Sequence, residues 1–313
     1  MNGKTVVTAD KREAVLEAAH ALGFVANGAA RALSLRRFMA VGAVVPNIEN
    51  EGFVRALSSF QERIRQFGYT LLVTNAGYEM DRGLLEATFL LERGIDGLML
   101  VGDLHRPELL DRIDRLGVPA IQTFTLSEHR ACVGFDNAAA TAKATRYLID
   151  LGHRRFGIIT GTRRDNDRST ARVAGVVETL AAHSLKVRAE HDIQVSHGIG
   201  DGRDALRHIL SADGDPPTAI LCGTDQLAFG ALIEADARGL SVPRDLSVVG
   251  FNDADYAAFL RPGLTTIRMP SAAIGRAAAD YLLTRMADKP AIRVTQLDAE
   301  LIIRGSTAPP RSC

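Results

Sequence analysis

The chain has 313 residues, of which 46% are hydrophobic and 24% charged, and its 37 basic side chains balance 37 acidic ones. This composition excludes a disordered polypeptide, and the zero net charge gives no overall attraction to nucleic acid or to anionic membranes. The length predicts two domains of about 150 residues each.

Three features of the sequence indicate a cytoplasmic protein. The cysteines Cys132, Cys222 and Cys313 are odd in number and widely spaced, as is typical of reduced thiols. No apolar stretch precedes the charged residues 10–13, as a secretory signal would require. No run reaches the roughly 20 apolar residues of a membrane span, so we expect no membrane partner.

Residues 1–37 differ from the rest because they carry six basic side chains against three acidic ones, which favours a nucleic-acid-binding appendage. Thr8 can cap a helix from about Ala9 to Leu22, and Gly23 can end it. Its predicted buried stripe is Val15, Ala18, Ala19 and Leu22. Asn27 can cap a second helix over residues 28–34, which needs a partner surface because about eight residues are marginal alone.

From residue 39 onward, apolar runs alternate with segments of helical periodicity. The predicted strands are Met39–Val45, Thr70–Val73, Gly97–Val101, Ala120–Thr123, Ala131–Phe135, Phe156–Thr160, Asp192–Val195, Thr218–Cys222 and Leu246–Phe251. Amphipathic helices lie between most of them, with apolar faces such as Phe53, Leu57, Phe60, Ile64 and Phe67. Continuous apolar strands joined by helices predict an α/β chain with parallel sheets in two halves.

Polar and aromatic residues follow most of these strands. They include Asn47, Asp103, His105, Phe135, Arg168, Arg172, His197, Thr224, Asp225 and Asn252. Because ligands of open parallel sheets bind beyond the carboxyl ends of the strands, we expect this set to hold a polar small molecule between two lobes. The alternative is that the Asn, Asp and Thr side chains are only helix caps and turns.

The sequence resembles the LacI/GalR family of transcription regulators along essentially its whole length. Residues 2–8, 12–16, 22–24 and 27–33 resemble the end of that family's headpiece and its hinge helix. Further matches are Gly68-Tyr69, Ile95-Asp96-Gly97, Gly117-Val118-Pro119, residues 151–155 and 172–175, residues 224–230 and 239–243, residues 246–253 and 264–267. In the family a helix-turn-helix precedes the Asn2-Gly3 loop, so we expect this chain, as given, to lack the two helices that enter and cross the major groove.

The resemblance implies two Rossmann-like lobes of periplasmic-binding-protein type I architecture, preceded by a headpiece remnant and a hinge helix. The expected domains are 1–37 for the headpiece and hinge, 38–137 with about 270–287 for the first lobe, and 138–269 with about 288–313 for the second. Function by resemblance is that of a ligand-responsive, DNA-binding repressor that forms a homodimer. A stand-alone cytoplasmic sugar-binding protein without DNA binding is the alternative, and an enzyme is disfavoured because no nucleophile and base are paired.

Site residues follow from the same resemblance. Effector contacts fall on Asn47, Phe53, Asp103, Phe135, Arg172, His197, Thr224, Asp225 and Asn252. In the hinge, Leu33 is the expected wedge in the minor groove, beside Asn27, Ala30 and Arg31. A core position for Leu33 or Phe135, a solvated His197 and a surface Arg172 remain alternatives. No catalytic residue, metal or cofactor is expected.

The arginines of the second half indicate the charge of the effector. Phe124 and Asn252 stand where several sugar-binding members of the family carry Asp. Because Arg163, Arg164, Arg168 and Arg172 are kept, we expect a positive cleft and an acidic effector, a sugar acid or sugar phosphate rather than a neutral sugar. Asp225 or Asp253 is expected to balance Arg172 in the empty state.

Overall fold

The computed structural model describes residues 8–23 and 37–311, and the chain divides into two compact units, Met1–Met39 and Ala40–Cys313. The described element of the first unit is helix α1 (Ala9–Ala21), which is followed by Gly23 in the left-handed conformation, as predicted. Of the apolar stripe predicted to be buried, Val15, Ala18 and Leu22 are exposed, and Val15 and Leu22 are 67% and 82% accessible. Among the described residues of this unit, no second element is present to cover it. The short helix predicted at residues 28–34 lies outside the described residues.

The second unit contains a first lobe built on a six-stranded parallel sheet, in the order β11-β5-β4-β3-β1-β2. Its strands are β1 (Ala40–Val45), β2 (Thr70–Asn75), β3 (Gly97–Val101), β4 (Ala120–Thr123), β5 (Cys132–Gly134) and β11 (Val294–Gln296). Its helices are α2 (Glu51–Arg65), α3 (Met80–Arg93), α4 (Pro107–Leu116) and α9 (Ser271–Met286). The predicted parallel α/β fold of two lobes is thereby confirmed for this half.

The second lobe repeats the design, with the strand order β12-β10-β9-β8-β6-β7. Its strands are β6 (Phe156–Thr160), β7 (Asp192–Gln194), β8 (Ala219–Cys222), β9 (Ser247–Asn252), β10 (Thr265–Arg268) and the antiparallel edge strand β12 (Glu300–Ile302). Its helices are α5 (Asn137–Asp150), α6 (Asp167–Ala182), α7 (Ile199–Ser211) and α8 (Asp225–Ala237). Short 3-10 turns occur at Ala189–His191 and Asp255–Ala258.

Apolar periodicity explains how the helices cover the sheets. Phe53, Phe60 and Ile64 of α2 are buried, but Phe67 is half-exposed because the helix ends at Arg65. Helices α2 and α9 pack closely, and a Cβ at Gly275 would overlap the main-chain oxygen of Ala56. Glycine at this position therefore permits the helices to approach each other.

The predicted division between the lobes needs one correction. The expectation put every residue after about 288 in the second lobe, yet β11 pairs with β5 in the first sheet. The chain therefore returns to the second lobe only between β11 and β12. Strands β10, β11 and β12 are four residues long or shorter and partly polar, so no apolar run in the sequence predicted them. Among the described residues, no helix combines the length and apolar character that crossing a membrane requires.

Candidate functional site

The carboxyl ends of the strands in the two lobes face each other across a narrow cleft. We call the space at its centre the inner cavity. It is lined by Asn50, Phe53 and Tyr78 of the first lobe, by Met269 of the connecting segment, and by Gly161, Asn166, Arg168, Ser169, Arg172, His197, Gly223, Thr224 and Asn252 of the second. Its accessible volume is about 30 Å³, which accommodates a water molecule or two. A sugar therefore cannot enter without movement of the lobes.

Arg172 is held at the second-lobe wall of this cavity by the packing of α6 on α5. A Cβ at Gly175 would overlap the main-chain oxygen of Ala138, and Thr141 Oγ1 donates a hydrogen bond of 2.8 Å to the carbonyl of Arg172 itself. The guanidinium donates to Asn137 Oδ1 at 2.9 Å and to the carbonyl of Gly223 at 3.1 Å. It also lies over the ring of Phe251, with 3.6 Å between Cζ and the ring centroid.

The partners of Arg172 contradict one expectation from the sequence. Asp225 accepts hydrogen bonds from Thr266 Oγ1 and from the Ala254 amide, at 2.5 and 2.6 Å. Asp253 instead pairs with Arg268 and Arg304, at 2.7 and 2.6 Å. Both carboxylates are thus engaged elsewhere, at the end of β9, where Asn252 and the following Asp253 adopt positive φ. Neutral acceptors, rather than Asp225 or Asp253, satisfy the donors of Arg172.

The electrostatics of the inner cavity are cationic. Burial and the neighbouring charge of Arg168 lower the pKa of Arg172 to about 9, and burial together with Arg172 lowers the pKa of His197 to about 4. His197 is therefore neutral near pH 7. Arg168 is paired with Asp167 at 2.7 Å, and no Asp or Glu of the described residues lines the cavity. Arg172 consequently carries a positive charge without an adjoining carboxylate.

Aromatic side chains shape the remaining walls. Phe53 packs edge-on against Phe124, with 5.0 Å between ring centroids, and Phe124 is fully buried. Phe135 is also buried and stacks on Phe251 at 6.2 Å, below the guanidinium of Arg172. Phe135 supports the wall from behind and does not line the cavity, so the core alternative describes its position.

Tyr78 and His197 form a partition across the cleft. Their rings are nearly parallel, at 10°, with centroids 4.4 Å apart, and one ring comes from each lobe. The two residues line both the inner cavity and an outer groove of about 420 Å³ that also contacts Asn47, Glu49 and Gln226. The stack therefore stands between the outer groove and the inner cavity.

Polar contacts also join the lobes around the cavity. Arg55 of α2 donates to the carbonyl of Asp253 at 3.0 Å and forms an ion pair with Asp255. On the other side, the amide of Asp103 donates to Asp167 Oδ2 at 3.1 Å. These contacts, together with the aromatic partition, hold the cleft in a closed conformation.

The structure brings six of the eleven predicted effector residues to the inner cavity. They are Phe53, Arg168, Arg172, His197, Thr224 and Asn252. Asn47 lies in the outer groove, His105 bonds to the carbonyl of Gly102 at 3.0 Å, and Asp103 contributes its amide to lobe closure. Asp225 and Phe135 lie behind the walls. Thr224 also caps α8 through Leu227, so capping and lining are compatible roles.

Several residues that line the inner cavity were not predicted from the sequence, and the predicted hinge residues lie outside the described part of the chain. Tyr78, Asn50, Asn166, Ser169 and Met269 line the inner cavity without having been predicted. Tyr78 comes three residues after β2. The expectation that ligand contacts follow the carboxyl ends of strands, applied to β2, would therefore have found it. The four hinge residues Asn27, Ala30, Arg31 and Leu33 lie outside the described residues.

Of the four arginines expected to make the cleft positive, Arg168 and Arg172 line the inner cavity, whereas Arg163 and Arg164 do not. The guanidinium of Arg163 is paired with Asp192 instead. Among the described residues, no three His, Cys, Asp or Glu side chains are grouped as a metal site would require.

Comparisons with known proteins place the chain among regulators. The family described as periplasmic binding protein-like domain matches residues 145–307. The HTH-type transcriptional regulator reg1 of Streptomyces lividans is 33% identical over 324 residues, which cover 98% of this chain and 91% of that protein. The HTH-type transcriptional repressor PurR of Pectobacterium atrosepticum is 30% identical over 313 residues, with coverages of 98% and 91%.

Solved structures share the fold. A LacI family transcriptional regulator from Mycobacterium smegmatis superimposes with a TM-score of 0.74 at 30% identity, covering 87% of this chain and 100% of that chain. A complex of the transcriptional regulator CelR with cellobiose superimposes with a TM-score of 0.76 at 25% identity, covering 96% and 92%. Both likenesses extend through the two lobes that enclose the inner cavity.

Proposed function

Since the chain belongs to the LacI/GalR family of transcription regulators, we propose that it is a repressor whose affinity for operator DNA responds to an anionic, sugar-like effector. The effector binds between the lobes and is a sugar acid or a sugar phosphate. The observation that carries this proposal is the environment of Arg172, a cation at the cavity wall whose hydrogen-bond partners are neutral.

The charge of Arg172 favours an anion over a neutral ligand. Burial lowers its pKa to about 9, which means that the surroundings disfavour the cation. A carboxylate or phosphate entering the cavity supplies the missing negative charge and can accept two parallel hydrogen bonds from the guanidinium. The neutral hydrogen-bonding groups of Asn166, Ser169 and Asn252 remain available for hydroxyl groups.

Binding of such a molecule requires the cleft to open. The inner cavity holds only about 30 Å³, so the effector must displace the Tyr78–His197 stack and change the angle between the lobes. The effector then shifts the population between a closed and a more open conformation by its difference in affinity for the two. The similarity to CelR, whose solved structure is a complex with cellobiose, supports a ligand of the carbohydrate class.

DNA binding is assigned in this proposal to the amino-terminal segment of the chain. Leu33 is proposed as the minor-groove wedge, flanked by Asn27, Ala30 and Arg31, and two such segments are brought together in a homodimer in the cytoplasm. A change in lobe angle alters the spacing of the two segments. Effector and operator affinity are thereby coupled, and the coupling is reciprocal.

Thermal-shift screening of the wild-type chain tests the effector class. Gluconate and glucose 6-phosphate represent the acidic classes, and glucose represents the neutral class. We expect members of the acidic classes to raise the melting temperature and the matching neutral sugars to leave it unchanged, because only ligands of the folded state stabilise it. Arg172→Gln should lose the shift and the exposed control Arg146→Gln should keep it. Shifts that favour neutral sugars would overturn the acidic-effector proposal.

A further inference from the structure

A second cavity lies in the first lobe, away from the cleft. We call it the basal cavity. It is bounded by the carboxyl half of α4, the strand β4, the loop before β5 and the last turns of α9, and it measures about 620 Å³. Known sites for small organic ligands fall in the range of roughly 300–1,000 Å³. The basal cavity is therefore large enough for such a ligand without any movement of the lobes.

The rim of the basal cavity is positively charged. Its lining includes three arginines, Arg130, Arg285 and Arg293, against one carboxylate, Asp114. Asp114 is bound by both terminal nitrogens of Arg130, at 3.0 and 2.7 Å. The pair is bidentate, so Asp114 offers little compensation to the other two cations.

Arg285 and Arg293 donate to main-chain oxygens. Arg285 Nη1 reaches the carbonyl of Lys289 at 3.2 Å, and Arg293 Nη2 contacts the carbonyls of Glu128 and His129. In the part of the chain that the structure describes, neither guanidinium forms an ion pair. Each keeps N–H groups that an anion in the cavity can bind, because a guanidinium has five donors.

The floor adds an apolar surface and one unsatisfied acceptor. Leu100 and Ile113 are buried beneath the cavity, and Tyr281 stands at its edge. Gln122 is 2% exposed, and among the described residues its Oε1 has no hydrogen-bond partner. A buried acceptor without a partner is costly. The oxygen has almost no accessible surface, so an O–H or N–H group of an occupant reaches it only after the Gln122 side chain rotates towards the cavity.

We propose that the basal cavity is a second binding site, for a small organic anion that combines an apolar or ring-shaped body, an acidic group and one hydrogen-bond donor. The acidic group binds Arg285 and Arg293, the body covers the apolar floor, and the donor reaches Gln122 once its side chain has rotated towards the cavity. This site does not depend on the proposed effector of the cleft, since the two cavities share no lining residue.

Fluorescence titration with 8-anilinonaphthalene-1-sulfonate tests the site, because this probe carries a sulfonate, aromatic rings and one N–H group. We expect saturable binding of one probe per chain at micromolar concentration. The double variant Arg285→Gln/Arg293→Gln should bind at least tenfold more weakly, since two charge-assisted contacts are lost. The exposed control pair Arg146→Gln/Arg276→Gln should bind as the wild type does.

Two further measurements distinguish binding at this site from nonspecific binding and from binding in the cleft. The uncharged probe N-phenyl-1-naphthylamine should bind at least tenfold more weakly than the sulfonate, and Arg172→Gln should leave the sulfonate titration unchanged. Equal affinity in wild type and the Arg285/Arg293 double variant would overturn the proposal. So would an absence of binding, several equivalent weak sites, or loss of binding in Arg172→Gln.

Discussion

Replacing Arg172 by alanine should weaken effector binding strongly while changing the stability of the empty protein only moderately. In the empty state the substitution removes hydrogen bonds to Asn137 Oδ1 and to the carbonyl of Gly223, a weaker one to Met269 Sδ at 3.6 Å, and the contact with the ring of Phe251. Hydrogen bonds of a charged group contribute about 1.5–3 kcal/mol each, and a cation–π contact about 0.5–2 kcal/mol.

The same substitution removes a cation that its surroundings disfavour. A pKa lowered to about 9 corresponds to a cost on the order of 5 kcal/mol for keeping Arg172 charged in the folded state. This cost offsets much of the loss of the contacts, so the free energy of unfolding should change by less than about 3 kcal/mol. In the complex, the lost charge-assisted contact of about 1.5–3 kcal/mol predicts an affinity reduced by roughly 10- to 150-fold.

Isothermal titration and thermal unfolding of the wild type and Arg172→Ala measure both quantities. Arg207→Ala is the matched control, because Arg207 pairs with the buried Glu234, far from the cavity lining. That control should lower the melting temperature and leave effector affinity unchanged. Equal affinities of wild type and Arg172→Ala, or a melting temperature of the empty variant lowered by more than about 10 °C, would refute the reasoning.

Three further predictions concern stability, assembly and DNA. Hydrogen bonds from arginines lower the pKa of Glu234 to about 2, so Glu234→Gln should lower the melting temperature at pH 7. The difference in melting temperature between this variant and the wild type should shrink between pH 5 and pH 2, and Glu178→Gln is the exposed control. Light scattering at micromolar concentration should show a homodimer formed through the first lobe, which Leu85→Glu on α3 should dissociate, because Leu85 is 69% exposed; a monomeric wild type would contradict this. In a mobility-shift assay at physiological salt, a polypeptide of residues 1–313 should bind DNA weakly and without sequence preference, because the proposed hinge segment offers few contacts to bases; nanomolar selective binding would contradict this.

The fold could be predicted where apolar runs were long and uninterrupted. Gly97–Val101 and Phe156–Thr160 are buried at every position, and both strands have the predicted bounds. Val294–Gln296 and Glu300–Ile302 lie at sheet edges and are partly exposed, so their sequences carry little apolar signal. Their pairing depends on tertiary contacts, which also explains why the boundary of the first lobe was placed too early.

The candidate site could be predicted in part from the positions of strand ends. That rule selected Arg172, Thr224 and Asn252, which meet at the inner cavity. It could not separate Asp225 from its neighbours, because the next residue along a helix points in a different direction and Asp225 turns towards Thr266. The sequence could not predict that Arg172 bonds to Asn137, because the two residues are 35 positions apart, although Asn137 does follow the fifth predicted strand.

A crystal structure of the chain with a sugar acid or sugar phosphate selected by the thermal-shift screen tests the central claim most directly. We predict that the acidic group lies within about 3 Å of the Arg172 guanidinium, with Tyr78 and His197 moved apart to admit the sugar. The hydroxyl groups should face Asn166, Ser169 or Asn252. A ligand bound outside the inner cavity, or one whose acidic group points away from Arg172, would contradict the account.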